Sequence, residues 1–210
     1  RQTAKTTNIA VRVLLLCNLP HKPSLRGSVI TPLFEQVRRI SNDYVAPLLN
    51  GSCMFGTWSR HDTEKSVLRR TFQNSALLRF AYAFLSAEGL RGIDNDFLVI
   101  DEYQDFRSEH MGVIVPSLSH SKIGAQIHSG TAKGLDTPLS ASWLSSSQAE
   151  WVIRCMACNH FNIPSLEFDL EKMIGLPDES ISTSRPGLVC ARCDRPIFSD
   201  IHGAWVHRYP

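Results

Sequence analysis

Four cysteines near the C-terminus, Cys155, Cys158, Cys190 and Cys193, form two C-x-x-C pairs with 31 residues between them. Thiolates at that spacing can hold a tetrahedral Zn2+ from two hairpin tips, with no position left open for catalysis. We therefore read a structural zinc site, whose metal would supply folding energy that a short hairpin region lacks. A reducing compartment is expected, which favours zinc over disulfides. His160 and Asp194 adjoin the cysteines and are read as neighbours of the ligands or as solvent-facing. Arg154, Arg192 and Arg195 flank the two knuckles, either to meet nucleic-acid phosphates or as solvated charges.

A second group of residues suits phosphate chemistry. The apolar run Phe97-Leu98-Val99-Ile100 ends in Asp101-Glu102. A carboxylate at the C-terminal end of a buried strand faces the crevice where α/β sheets take their ligands. Asp101 could hold Mg2+ and Glu102 could polarise an attacking water, the two roles that phosphoryl transfer needs. The alternative is a pair of acids that only terminates a strand. Near the N-terminus, Lys5-Thr6-Thr7 opens a helical stretch. A helix start presents backbone N–H groups to phosphates, Lys5 would neutralise phosphate oxygens, and Thr6 would offer a hydroxyl to Mg2+. A basic, threonine-rich helix start without a ligand is the competing reading. His128-Ser129-Gly130-Thr131 follows the next strand, either as a γ-phosphate sensor or as a turn built on Gly130.

The elements that must position these residues are legible in outline. Helix is expected from Thr6 to Cys17, stopped at Asn18-Leu19-Pro20 with a loop through Pro23. Ser28-Val29-Ile30 reads as a short buried strand. Thr31-Pro32 then reads as an N-cap with proline at the first helical position, before Leu33, Val37, Ile40, Tyr44 and Leu48 at helical spacing. A loop is expected from Asn50 to Asp62. Val67 to Phe72 and Leu77 to Phe84 read as strands joined by the polar Gln73-Asn74-Ser75 turn. A short helix or turn spans Ala87 to Gly92. Phe97–Ile100 is a parallel strand covered on both faces. A helix over Glu109–Leu118, a strand over Ala125–His128 and a helix over Leu139–Leu144 follow. From Trp151 onward the pattern changes to cysteine hairpins. Trp151 and Trp205 bracket them as packing residues, while Cys17 and Cys53 read as core or loop thiols. Alternating strands and helices point to an α/β fold with a mainly parallel sheet.

At 210 residues and 43% hydrophobic, the chain can bury one full core plus a small satellite. Its net charge of +2 neither demands nor excludes nucleic acid. The longest apolar run, Val13 to Cys17, is too short to span a bilayer. The first residue is Arg1, and the chain reads as a fragment of a longer protein, opening inside a phosphate-binding loop.

Several stretches in order carry a family resemblance. They are Arg1-Gln2-Thr3-Ala4-Lys5-Thr6-Thr7, Thr31-Pro32 with Gln36 to Ser41, Tyr82-Ala83-Phe84, and Leu90-Arg91-Gly92-Ile93. Val99-Ile100-Asp101-Glu102-Tyr103-Gln104-Asp105, Ser119-His120-Ser121, Ser129-Gly130-Thr131-Ala132-Lys133 and Gln148-Ala149-Glu150-Trp151-Val152 complete them. Together they resemble the ATPase part of the large terminase subunit of tailed bacteriophages, the DNA-packaging motor.

The resemblance implies a P-loop NTPase (RecA-like) three-layer core over residues 1–150, followed by a zinc-ribbon region over 151–210. It implies ATP and Mg2+ at Lys5, Thr6, Thr7 and Asp101, with Glu102 as the catalytic carboxylate. Arg1 would serve as a cis-acting arginine on the γ-phosphate, and Ser129, Gly130 and Thr131 would couple hydrolysis to movement. Ala4 stands where the family carries glycine, a departure that bears on nucleotide affinity. Implied partners are double-stranded DNA, a small terminase subunit, a portal protein and further copies in a homo-oligomeric ring, with no membrane. The implied location is the host cytoplasm and, transiently, the procapsid portal. The family's nuclease domain is not represented, so DNA cleavage is expected of a longer parent only. Two other readings share these residues. Asp101-Glu102-Tyr103-Gln104-Asp105 also resembles motif II of superfamily 1 helicases. A non-catalytic zinc-ribbon DNA-binding module on a degenerate ATPase scaffold is the other.

Overall fold

The run Phe97–Ile100 forms a strand that lies wholly inside the protein in the computed structural model, which describes residues 5–19, 24–51, 66–83, 87–165, 167–175 and 187–210. Side chains alternate along a strand. Phe97 and Val99 accordingly enter one apolar core, and Leu98 and Ile100 enter another on the opposite face. A strand buried on both sides has no solvated face for polar residues, which is why the sequence reads as an unbroken apolar run.

The chain divides between Ala141 and Ser142 into two compact units. In the first, helix α1 (Lys5–Cys17) precedes strand β1 (Arg26–Thr31), and α2 (Phe34–Arg39) and α3 (Ala46–Gly51) flank a π-helical turn at Ile40–Val45. Strands β2 (Arg69–Thr71) and β3 (Leu77–Tyr82) come next, then β4 (Phe97–Ile100), α4 (Ser108–Ile114) and β5 (Ala125–His128), with α5 (Pro138–Leu144) at the boundary. The five strands make one sheet in the order β2-β3-β1-β4-β5. β3, β1, β4 and β5 are parallel, and β2 is an antiparallel edge. One core packs α1, Val37, Ile40, Val45 and Leu49 on the sheet face that carries Val29 and Val99. The other packs Ile114, Phe106 and Leu90 on the face that carries Ile30 and Leu98. This is the three-layer, mainly parallel α/β arrangement expected.

Three local expectations are corrected. Thr31 is not an N-cap. It is the last residue of β1, paired opposite Tyr82, and its hydroxyl donates to the Leu33 carbonyl at 2.9 Å. Pro32 pushes the residue before it toward extended backbone, so the helix waits until Phe34, where the Gln36 side chain accepts from the Leu33 N–H at 3.1 Å. The helical register also shifts. Burial follows Val37 and Ile40, then moves by one to Ser41, Val45 and Leu49, leaving Tyr44 and Leu48 half-buried. The wider π turn absorbs one extra residue, just ahead of Pro47, which has no N–H to close an α turn. Pro116 also lacks an N–H, and the helix expected to Leu118 changes form there: α4 ends at Ile114 and a tighter 3-10 turn covers Val115–Leu118. Cys17 is fully buried in the first core, and burial pushes its thiol well above the ordinary range. Most of the loop expected over Asn50–Asp62, with Cys53, Pro20, Pro23 and Phe84, lies outside the described residues.

In the second unit, β6 (Ala149–Arg154) is flanked by β7 (Phe161–Asn162) and β10 (Gly203–His207) in an antiparallel three-stranded sheet. Strands β8 (Ile174–Gly175) and β9 (Gly187–Leu188) pair separately, and α6 (Ser199–His202) leads into β10. Trp151 and Trp205 face each other across β6 and β10, edge to face at 5.3 Å. Among the described residues, no helix is long and apolar enough to cross a membrane.

Candidate functional site

The first turn of α1 and the end of β4 meet. Lys5 Nζ lies 2.7 Å from Glu102 Oε1 and 2.9 Å from Asp101 Oδ1. The contact to Glu102 is an aligned hydrogen bond, whereas Asp101 Oδ1 is close in distance but accepts no aligned hydrogen bond. Asp101 is 3% exposed, and its backbone N–H donates to the Ile30 carbonyl, continuing the ladder one residue past β4. Burial alone would lower the Lys5 pKa. The two carboxylates outweigh that effect and hold the ammonium above its ordinary value. Burial would likewise raise Glu102, but hydrogen bonds from Lys5 and Gln104 hold its carboxyl below the usual range.

Glu102 sits at φ 54° and ψ 43°, in the left-handed region. Non-glycine residues rarely adopt it, and when they do the site is often functional. That backbone lets two adjacent acids reach one ammonium. Beyond Glu102, Gln104 is buried. Its Nε2 donates to Glu102 Oε2 at 2.7 Å, and its Oε1 accepts from the Thr131 backbone N–H at 3.0 Å. The Tyr103 N–H donates to the Ser129 carbonyl at 2.9 Å, and the Ser129 N–H to the Ile100 carbonyl at 2.9 Å. Lys133 closes on Asp105 with contacts of 2.7 and 2.9 Å. The segment Ser129-Gly130-Thr131 is thus fastened along the Asp101-Glu102 turn.

A cavity of about 270 Å³ opens beside Lys5, lined in part by Asn8, Arg12, His128 and Ser129. Asn8, Ile9 and Arg12 follow Lys5 at helical spacing, a signal that could have marked this face. His128 stacks on Tyr103 with ring centroids 4.1 Å apart, and burial lowers its pKa. Thr6 and Thr7 stand in the first turn of α1, and among the described residues nothing engages their hydroxyls by a hydrogen bond. Arg1 and Ala4 lie outside the described residues.

The second unit brings Cys155, Cys158, Cys190 and Cys193 together, with all four sulfurs within 4.8 Å of one another. Cys155 Sγ and Cys193 Sγ are 3.7 Å apart, and Cys158 Sγ and Cys190 Sγ 3.6 Å. Tetrahedral Zn–S bonds near 2.3 Å require sulfurs about 3.8 Å apart, whereas a disulfide needs about 2 Å. The donor set and its spacing therefore fit Zn2+. Two equivalent turns build it. The Cys155 N–H donates to the His160 carbonyl and the Asn159 N–H returns to the Cys155 carbonyl; the Cys190 N–H donates to the Arg195 carbonyl and the Asp194 N–H returns to that of Cys190. Asn159 at φ 59° and Asp194 at φ 56° take the left-handed position that closes each turn, which gives Asp194 a backbone role. Burial would raise the Cys155 thiol, but the Cys158 and Ala157 N–H groups bring it down to about 7. The Arg195 N–H works to lower Cys193, yet the surrounding thiols, Cys158 foremost, push it up to about 12.

Asn162, fully buried, ties the turns together. Its Nδ2 donates to the Ile153 and His160 carbonyls at 3.0 and 3.3 Å, and its Oδ1 accepts from the Ala191 N–H at 2.8 Å. A lone asparagine between strands carries no sequence signal for this role.

Comparison with solved structures gives the class of fold. The chain matches the Thermus phage P74-26 large terminase ATPase domain with a TM-score of 0.50 at 22% identity, over 65% of this chain and 58% of that one. It matches the HK97 bacteriophage large terminase with a TM-score of 0.55 at 16% identity, over 69% of this chain and 30% of that one. For a large terminase from a thermophilic bacteriophage in complex with ADP, the TM-score is 0.54 at 12% identity, over 69% of this chain and 35% of that one. No protein-family profile and no curated protein matches the chain. The fold is that of large terminase ATPase domains, and the chain spans 58% of the length of the Thermus phage domain it resembles.

Proposed function

We propose that the chain is the ATP-hydrolysing part of a viral DNA-packaging motor. The observation that carries this reading is the convergence of Lys5, Asp101 and Glu102 at the C-terminal end of β4. In the proposed roles, Lys5 and the N–H groups of the first turn of α1 receive the β- and γ-phosphates of ATP. Asp101, with a buried oxygen that accepts no aligned hydrogen bond, fits a magnesium ligand, and the Thr6 hydroxyl is a second candidate. Bound Mg2+ would supply charge neutralisation between the phosphates. Glu102 orients the attacking water, and Gln104 holds its second oxygen. Thr7 supports the phosphate turn, and Arg1 is the candidate cis-acting arginine. Ser129, Gly130 and Thr131 face the triphosphate as the segment that senses its state.

The packaging half of the reading rests on the shared fold with large terminases. On that basis residues 1–150 are the motor core and 151–210 a zinc ribbon held by Cys155, Cys158, Cys190 and Cys193. Double-stranded DNA is the cargo. A small terminase subunit, a portal protein and further copies in a ring are the partners, in the host cytoplasm and at the procapsid portal.

The test is ATP hydrolysis by the chain with Mg2+, beside Glu102→Gln. That change keeps shape and removes the charge that orients water, so the rate should fall at least about 10²-fold. Equal, near-background rates for both proteins would reject the enzyme reading.

A further inference from the structure

We propose that Gln104 is a positioning residue that fastens the Glu102 carboxylate to the Gly130–Thr131 backbone, so that displacing either one reorients the other. The inference rests on the hydrolytic reading of this site and adds a residue and a mechanical link to it.

Three observations converge. Gln104 is buried, and both ends of its amide are used, Nε2 on Glu102 Oε2 at 2.7 Å and Oε1 on the Thr131 N–H at 3.0 Å. A side-chain amide is neutral and can donate to a carboxylate while accepting from a backbone N–H. Gly130 leaves the space in which that amide lies: a Cβ there would overlap Gln104 Oε1. The Gly130 backbone does not lie in the left-handed region, so glycine is required by the Gln104 contact rather than by its own conformation. The link is anchored at both sides, through Lys5 on Glu102 Oε1 and through Lys133 on Asp105, to which Gln104 Nε2 also points at 3.4 Å. A change at Glu102 thus has a two-bond route to the backbone that leaves β5, and the reverse holds.

Two measurements test this. In turnover, Gln104→Met should lower kcat by about tenfold or more, since a misplaced catalytic group costs on that order, while KM for MgATP changes less than about threefold. Gly130→Ala, which keeps Gln104 but displaces its amide, should give the same split. In a Gln104→Ala background Gly130→Ala should cost much less, because the overlap with the amide is gone and only the flexible end of Leu139, 3.0 Å from a Cβ at residue 130, has to give. Additive losses, or a change confined to KM, would overturn the link.

The second measurement needs no turnover. In amide NMR spectra, Glu102→Gln should move the Thr131 N–H resonance in the wild-type background and leave it in place in Gln104→Met. A Thr131 resonance indifferent to Glu102→Gln, or moved equally in both backgrounds, would refute the link. Absence of ATP hydrolysis in the wild type would instead strike the hydrolytic reading, and the spectra would still decide whether Gln104 couples the two segments.

Discussion

Replacing Asn162 by leucine isolates what holds the two cysteine turns in register. The side chains are close in volume, so the change removes hydrogen bonds without opening a cavity. Three contacts disappear, but they do not cost the same. The His160 carbonyl keeps its bond from the Cys155 N–H at 2.8 Å, so the 3.3 Å contact from Asn162 is the least missed. The Ala191 N–H, at 2.8 Å, has its acceptor in Asn162, and the carbonyl bonded at 3.0 Å belongs to Ile153, a buried residue of β6. Orphaning a buried donor costs about 1–3 kcal/mol and an under-satisfied carbonyl about 1, so Asn162→Leu should cost about 2–4 kcal/mol in all. Where metal binding and folding of a small unit are coupled, that cost appears in metal affinity, as a loss of about 30- to 1000-fold. Competition for Zn2+ against a chromophoric chelator measures it, with thermal unfolding of the metal-loaded protein as the parallel readout. Zinc affinity close to that of the wild type, together with an unchanged unfolding temperature, would refute the assignment of Asn162 as the tie.

Two further outcomes follow from the packing and the thiols. Gly27 pairs across β1 and β4 with the buried Phe97, and a Cβ at residue 27 would overlap the Phe97 ring. Gly27→Ala should destabilise the first unit by about 1–3 kcal/mol in denaturant titration, and Phe97→Leu in the same chain should return part of that loss. Zinc affinity should rise with pH. The metal-free site holds Cys155 at about 7 and Cys193 at about 12, so near neutral pH the free site carries more protons than the thiolate-bound one. Acidification through the Cys155 value of about 7 should therefore weaken zinc, and affinity should keep rising in mildly alkaline solution because zinc still displaces the proton that Cys193, pushed up to about 12, retains there. A flat affinity from mildly acidic to mildly alkaline pH would contradict this.

The parts legible in the sequence are those where one requirement dictates residue type at several adjacent positions. Phe97–Ile100 must be apolar on both faces, and the strand ends where Asp101 begins, so both the core strand and the acidic pair can be read directly. The cysteine pairs are legible because a four-thiolate site would fix their spacing. The π turn is not, since Ile40, Tyr44 and Leu48 read as an ordinary helical stripe, whereas past Ile40 the chain buries Ser41, Val45 and Leu49 in place of Tyr44 and Leu48. Gln104 and Asn162 are illegible for a different reason. Each acts through a bifunctional amide that joins a nearby group to one distant in sequence, Thr131 for Gln104 and Ala191 for Asn162, and no local period or composition marks such a residue.

The left-handed backbone at Glu102 explains why this sheet end can present two acids at once. On a regular strand, Asp101 and Glu102 would point to opposite faces, and only one could meet a helix start. Turning the chain at Glu102 costs on the order of 1–3 kcal/mol for a non-glycine residue. Several contacts offset that cost. The Asp105 N–H donates to the Glu102 carbonyl at 2.9 Å, the Tyr103 N–H to Ser129 at 2.9 Å, and Lys5 and Gln104 take one carboxylate oxygen each. The turn therefore depends on the groups it assembles. With the Lys5 ammonium drawn away to another anion, Glu102 would lose one of its two side-chain anchors and keep the one from Gln104, which leads to Thr131. An anion arriving at α1 would thus be felt first at Glu102, and the surviving bond runs from there to the segment after β5.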